Sequence, residues 1–121
     1  MNVTLDGTNM TLADVSIVAR GGLVELSDAA LGAMETARDY VQELIDEGLP
    51  VYGITTGFGR FSDIVIKAED VETLQQNLVR SHACGVGEPL PIPETRALMA
   101  LRANALTLGY SGVRPQVVQL L

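Results

Sequence analysis

Cysteine, histidine and tryptophan are almost missing from this chain of 121 residues, which has one cysteine, one histidine and no tryptophan. With Cys84 as its only cysteine, the chain cannot form an internal disulfide. Cys84 and the single histidine, His82, are also too few for a structural zinc site, which takes about four such ligands. Aromatic residues make up only 4% of the chain and apolar residues 47%. The length therefore allows at most one small domain, and the composition predicts that its core is aliphatic.

Basic residues are also few, with 8 Lys and Arg against 15 Asp and Glu, and the formal net charge is −7. The arginines stand singly between Arg20 and Arg114, so no basic patch offsets the repulsion from nucleic acid or an anionic membrane. No apolar run approaches the roughly 18 residues of a membrane-spanning helix, and no signal peptide is recognisable. We therefore expect a cytoplasmic protein without nucleic-acid or membrane partners.

The apolar spacing and the turn residues predict a mainly helical chain with short β-strands. Extended segments are expected at 3–5, 23–26 and 51–54. Helices are expected at 12–20, 28–47, 69–84 and 94–108, and a last one begins at Pro115. Thr11 and Ser27 are placed to cap the first two helices, because their side-chain oxygens can accept from the free amides of a first turn. The fixed φ of Pro115 suits the first position of a helix.

The loop after the third predicted strand is the least ordinary segment, because Tyr52 is followed closely by Gly53, Gly57 and Gly59. Its spacing does not fit the dinucleotide-binding fingerprint, and the lysine of a P-loop is absent. Such a segment is as consistent with a strained structural turn as with a binding loop that presents a phenol and bare amides. The residues alone leave both interpretations open.

His82 lies four residues after Leu78, on the apolar face of its predicted helix. A lone histidine on such a face is more often a hydrogen-bonded core residue than a functional group. Cys84 is two residues further on and points to a different face, so a thiol–imidazole pair is not expected. A structural and a functional role both remain open for His82.

Three segments, taken together, resemble the aromatic amino-acid ammonia-lyases in that family's order and spacing. They are 51–59 (VYGITTGFG), 74–87 (LQQNLVRSHACGVG) and 101–106 (LRANAL), and the resemblance extends from about Leu5 to the end of the chain. Ser81-His82 and the stretch 61–63 (FSD) are similar to the histidine-specific branch of the family. Thr55 departs from that branch, which more often has Asn there, and Thr is common at this place in the phenylalanine and tyrosine branches.

The resemblance implies elimination of ammonia from L-histidine to give trans-urocanate. It implies that Tyr52 is the base that removes the weakly acidic β-proton and that His82, Gly53 and Gly59 bind the substrate. A free phenol has a pKa of about 10, so the role of Tyr52 needs nearby positive charge or donors that favour the phenolate.

The family's electrophile is a methylidene-imidazolone that forms by cyclisation of an internal Ala-Ser-Gly, and these 121 residues contain no such tripeptide. The tripeptide is expected downstream, in a longer protein. The chain by itself is therefore expected to bind no cofactor and no metal and to be inactive.

The resemblance also implies the N-terminal portion of the helix-rich, aspartase-like ammonia-lyase fold, from an enzyme that forms a homotetramer. Residues 1–114 are expected to form a domain that contributes to the active site, and residues 115–121 to begin a helix of a central bundle. Two alternatives stay open: a fragment of a tyrosine or phenylalanine ammonia-lyase or of an aminomutase, and a non-catalytic structural or interaction domain. An Ala-Ser-Gly downstream would distinguish an enzyme from the latter.

Overall fold

The computed structural model describes residues 2–62 and 64–121, which are mainly helical with short strands, as predicted. Asp63, from the stretch 61–63, lies outside the described residues. The strands are β1 (Asn2–Leu5) and β2 (Leu23–Leu26). The helices are α1 (Leu12–Ala19), α2 (Asp28–Asp46), α3 (Val71–His82), α4 (Ile92–Leu106) and α5 (Pro115–Leu120). The chain divides into two compact units, one up to Tyr40 together with Pro89–Leu121, and the other Val41–Glu88.

In the first unit, β1 and β2 pair in parallel, with Asn2 opposite Leu23 and Leu5 opposite Leu26. Two parallel strands need a crossover connection, which α1 supplies here. Side chains of β1 alternate between a buried and an exposed face, as the pleat of a strand requires. Both strands were predicted at these places, whereas their parallel pairing was not.

The helix starts of the first unit follow the predicted capping chemistry. The Asp14 amide donates to the Thr11 hydroxyl (3.2 Å), and the Thr11 amide donates to the Asp14 carboxylate (2.9 Å), which forms a capping box at α1. The Ser27 hydroxyl accepts from the Ala30 amide (3.1 Å) at the start of α2. Pro115 is the first residue of α5, also as predicted. Local hydrogen bonding therefore fixes where these helices begin.

The core of the first unit is aliphatic, as the composition indicated. Helix α1 packs against α4, and β1, α2 and α5 add side chains to the same cluster. Its buried members are Val3, Leu5, Val18, Met34, Ala100, Ala103, Leu106 and Val118. Small alanines on α4 allow the close approach of the elements around it, since an alanine adds only a methyl group to the contact.

The second unit contains the end of α2, a long loop and α3. A 3₁₀ turn at Ala68–Asp70 leads into α3, so the helix begins later than the predicted position 69 and ends at His82, before position 84. The apolar stripe is present, because Val71, Leu74 and Leu78 are half-buried while most of the helix is exposed.

The predicted strand at 51–54 is wrong. These residues form hydrogen-bonded turns, in which the amides of Ile54 and Thr55 both donate to the carbonyl oxygen of Val51 (3.1 and 3.0 Å). The β-branched Val51 and Ile54 favour a strand locally. The side chain of Thr55 favours the turn over the strand, because it hydrogen-bonds to the backbone of Val51 and Leu49.

Candidate active site

Tyr52 lies in this turn, and the residue is 63% exposed. Its ring makes an edge-to-face contact with the ring of Phe58, with the ring centroids 5.8 Å apart and an angle of 79° between the planes. Aromatic pairs prefer this geometry because the positive edge of one ring meets the negative face of the other. Phe58 therefore orients the Tyr52 ring, while much of the phenol stays accessible.

Two buried threonines stabilise the backbone beneath Tyr52. The Thr55 hydroxyl accepts from the Val51 amide (2.9 Å) and donates to the Leu49 carbonyl oxygen. The Thr56 hydroxyl donates to the Gly57 carbonyl oxygen (3.1 Å). Thr55 and Thr56 are 6% and 2% exposed, so water competes little for these hydrogen bonds. Thr55, where the histidine branch more often has Asn, thus has a structural role in this chain.

The far side of the loop is joined back to the turn by a short antiparallel bridge between Thr56 and Val65. The Gly57 amide donates to the Ile64 carbonyl oxygen (3.1 Å), and the Ile66 amide donates to the Thr55 carbonyl oxygen (2.9 Å). These backbone bonds close the segment that contains Gly57 and Gly59. The loop is therefore held at both ends and is not a free linker.

Gly53 and Gly59 both have a positive φ, of +75° and +56°, in the region where glycine is favoured. Their surroundings differ. A Cβ on Gly53 would lie 3.2 Å from the Phe58 ring, whereas a Cβ on Gly59 would meet no atom within 4 Å. Gly53 thus allows both the turn and the contact between the Tyr52 and Phe58 rings, while Gly59 is required only for its backbone conformation.

We predict that Gly53→Ala destabilises the loop more than Gly59→Ala. The φ of Gly59 is one that L-residues visit, and the alanine should cost about 1 kcal/mol. At Gly53 the φ lies beyond that region and the methyl also presses on Phe58, so we expect about 2 kcal/mol. The Ile66 amide donates the hydrogen bond that closes the loop, so its hydrogen-exchange protection in each variant measures the loss of stability. Equal protection in the two variants would contradict the steric role of Phe58.

His82 is the last residue of α3, and its side chain is exposed. Its Nδ1 lies 2.9 Å from the Leu78 carbonyl oxygen and 3.0 Å from the Ser81 hydroxyl oxygen. Ser81 in turn donates to the same Leu78 carbonyl oxygen (2.8 Å). The ring is thus held on one side by its own helix. Because His82 is exposed, the structure does not support a role as a core residue.

The predicted site residues all lie in the second unit, in two groups. Tyr52 and Gly53 lie in the turn and Gly59 in the closed segment that follows it, whereas His82 lies at the end of α3. Among the described residues, no hydrogen bond or ring contact joins His82 to Tyr52. The prediction missed Phe58, although its ring follows Tyr52 within the same glycine-rich segment.

The described residues contain no group of three or more His, Cys, Asp and Glu side chains that could hold a metal ion. Within the same part of the chain, no helix has both the length and the apolar content needed to cross a membrane.

Comparison with known proteins shows the same relationship in sequence and in structure. The sequence profile of the aromatic amino acid lyases matches residues 10–121. A histidine ammonia-lyase of Caldanaerobacter subterraneus subsp. tengcongensis is 52% identical over 98% of this chain, which corresponds to 24% of that protein.

Comparison with solved structures identifies relatives of the same family. Histidine ammonia-lyase from Trypanosoma cruzi superimposes with a TM-score of 0.88 and 38% identity, over 98% of this chain and 23% of its own. A tyrosine aminomutase from Streptomyces globisporus gives 0.92 and 32% over the same shares.

The chain belongs to the aromatic amino acid lyase family. It spans about a quarter of the length of the curated relatives it matches, and these are named histidine ammonia-lyase.

Proposed function

We propose that this chain is the N-terminal part of a histidine ammonia-lyase, which eliminates ammonia from L-histidine to give trans-urocanate. The observation that carries the proposal is its identity of 42–52% with curated histidine ammonia-lyases. Among the solved structures, the histidine ammonia-lyase of Trypanosoma cruzi is 38% identical and the tyrosine aminomutase 32%. Ser81-His82, the residue pair similar to the histidine branch, supports the same substrate. The complete enzyme is proposed to be a cytoplasmic homotetramer.

Tyr52 is proposed as the general base that takes the β-proton of the substrate. The accessible phenol and the edge-to-face contact with Phe58 support this role, because a base must be both reachable and oriented. Gly53 and Gly59 are proposed to bring the loop backbone close to the substrate. A side chain at either position would disturb the backbone conformation that the loop needs.

His82 is proposed to contact the imidazole ring of the substrate. Its own ring is exposed and is anchored through one nitrogen, Nδ1, which leaves the other side for a ligand. A polar partner at this place favours a substrate ring that has nitrogens over a purely apolar ring, since burying a polar group without a partner is costly.

The methylidene-imidazolone of this family supplies an electrophile that makes the amino group a better leaving group. The chain contributes none of the atoms of that group, because its sequence has no Ala-Ser-Gly. This chain is proposed to provide the base and the contact to the substrate ring. The electrophile belongs to residues further along the complete enzyme.

The proposed function is tested by following urocanate formation through its ultraviolet absorbance after addition of L-histidine. We expect turnover by the complete protein that contains this chain, and none by the pure 12.9 kDa chain, which lacks the electrophile. Tyrosine and phenylalanine serve as competing substrates. Turnover by the 121 residues alone would contradict the assignment of the electrophile, and faster turnover of tyrosine would favour the tyrosine branch instead.

A further inference from the structure

A triangle of polar atoms lies at the end of α3 beside His82, and the proposed function uses only one of its sides, the contact of Nδ1 with Leu78. The Leu78 carbonyl oxygen lies 2.8 Å from the Ser81 hydroxyl oxygen and 2.9 Å from Nδ1 of His82. The Ser81 hydroxyl oxygen lies 3.0 Å from the same Nδ1, so all three distances are within hydrogen-bond range. Three atoms at such distances must share their protons in a defined way, because each atom can donate or accept only as its chemistry allows.

The Leu78 carbonyl oxygen has no proton and can only accept. Its contact with Nδ1 is therefore favourable only when Nδ1 carries a proton, because a bare nitrogen would place two lone pairs 2.9 Å apart. The Ser81 hydroxyl has a single proton, and its distance of 2.8 Å to the carbonyl oxygen assigns that proton to Leu78. Its oxygen lone pairs then face Nδ1, where they accept the same N–H.

The opposite assignment fits less well. If the Ser81 hydroxyl donated to a bare Nδ1, the carbonyl oxygen would lose one donor and would face the nitrogen lone pair. Only the Nδ1–H form satisfies all three contacts. In a neutral imidazole, a proton on one nitrogen leaves the other without one, and a hydrogen bond at the first nitrogen selects the tautomer.

We propose that Ser81 is a positioning residue that, together with the Leu78 carbonyl, holds the neutral ring of His82 as its Nδ1–H tautomer, with Nε2 as a hydrogen-bond acceptor toward the substrate. The substrate side of this inference rests on the proposed function. It identifies the substrate class as a ring that donates, such as the N–H of an imidazole. A ring without a donor leaves Nε2 unpaired.

The tautomer can be read directly, because His82 is the only histidine of the chain. Long-range ¹H–¹⁵N correlation spectra of the ¹⁵N-labelled chain, above the pH range in which histidine titrates, distinguish the protonated from the bare ring nitrogen. We expect Nδ1–H as the major form. Ser81→Ala should lower the ratio of Nδ1–H to Nε2–H by about fivefold, the equivalent of one hydrogen bond of about 1 kcal/mol.

Two variants serve as controls. Ser81→Thr restores a hydroxyl that can reach a carbonyl one turn back in a helix, and it should return the ratio to within about twofold of the original. Thr73→Ala removes an exposed hydroxyl elsewhere on α3 and should leave the ratio unchanged. An Nε2–H majority in the unmodified chain overturns the proposal, and so does an unchanged ratio in Ser81→Ala.

In the complete enzyme, the same Ser81→Ala change should raise KM for L-histidine by about fivefold with kcat little changed, because it loosens a contact made throughout the reaction. Ser81→Thr should recover KM. The spectra need no turnover, so an Nδ1–H ring in a protein that does not act on L-histidine would refute the proposed function alone. An unchanged KM beside an altered tautomer ratio would overturn the positioning role.

Discussion

Tyr52→Phe is expected to lower kcat of the complete enzyme by at least a hundredfold and to leave its fold intact. The substitution keeps the ring and therefore the edge-to-face contact with Phe58, and it deletes the one atom that can accept a proton. Loss of a positioned general base typically costs about 10²–10⁴-fold in rate. Within the described residues the Tyr52 hydroxyl makes no hydrogen bond, so the free energy of unfolding should change by less than about 1 kcal/mol.

Tyr40 provides a matched control, because the residue is 61% exposed, close to the 63% of Tyr52. Tyr40→Phe should leave kcat unchanged. Rates of urocanate formation, together with a thermal unfolding curve for each variant, separate the two roles of a tyrosine: a structural residue would lose stability and keep its rate. A folded Tyr52→Phe enzyme within threefold of the original rate would exclude Tyr52 as the base.

His82→Phe is expected to lower kcat/KM for L-histidine by about 5- to 150-fold. Phenylalanine keeps an aromatic ring at the end of α3 but loses both the Nδ1 contact to Leu78 and the nitrogen that faces outward. Leaving a buried polar group of the substrate unpaired costs about 1–3 kcal/mol, which corresponds to about 5- to 150-fold. The exposed position of the ring means that stability should change little.

A second substitution shows whether the polar atom or the ring shape matters. His82→Gln retains an acceptor near the end of a side chain of similar reach, and we expect it to keep more activity toward L-histidine than His82→Phe. Competition between L-histidine and L-phenylalanine measures the change in preference. An unchanged kcat/KM for L-histidine in His82→Phe would show that His82 makes no polar contact that selects the substrate ring.

The sequence predicted the elements of the first unit well, because the deciding interactions there are local. Thr11 and Ser27 cap helices through atoms three residues away, and Pro115 begins α5 through its own φ. The aliphatic core was likewise predicted from composition. The parallel pairing of β1 with β2 was not predicted, because register depends on the packing of the whole unit.

The second unit shows why the remaining details could not be predicted. Segment 51–54 has strand-forming residues, yet the Thr55 hydroxyl bonds to the backbone before it and makes a turn. Tyr52, Gly53, Gly59 and His82 were identified from the resemblance and from their unusual setting, and their roles stay predictions. The contact of the Tyr52 and Phe58 rings and the contact of Ser81 with Nδ1 of His82 depend on side-chain geometry, which residue spacing does not specify.

The core of the first unit draws on both ends of the chain, since Leu5 of β1 and Val118 of α5 belong to one cluster. A ribosome adds about 5–20 residues per second, so β1 waits roughly 5–20 seconds after its own synthesis before α5 exists to cover it. During that interval β1 can pair with β2 and pack against Val18 and Met34, but the part of the core that Val118 completes stays open to water. The loop of Tyr52 and the helix of His82, by contrast, belong to a unit whose residues are all made before Pro89.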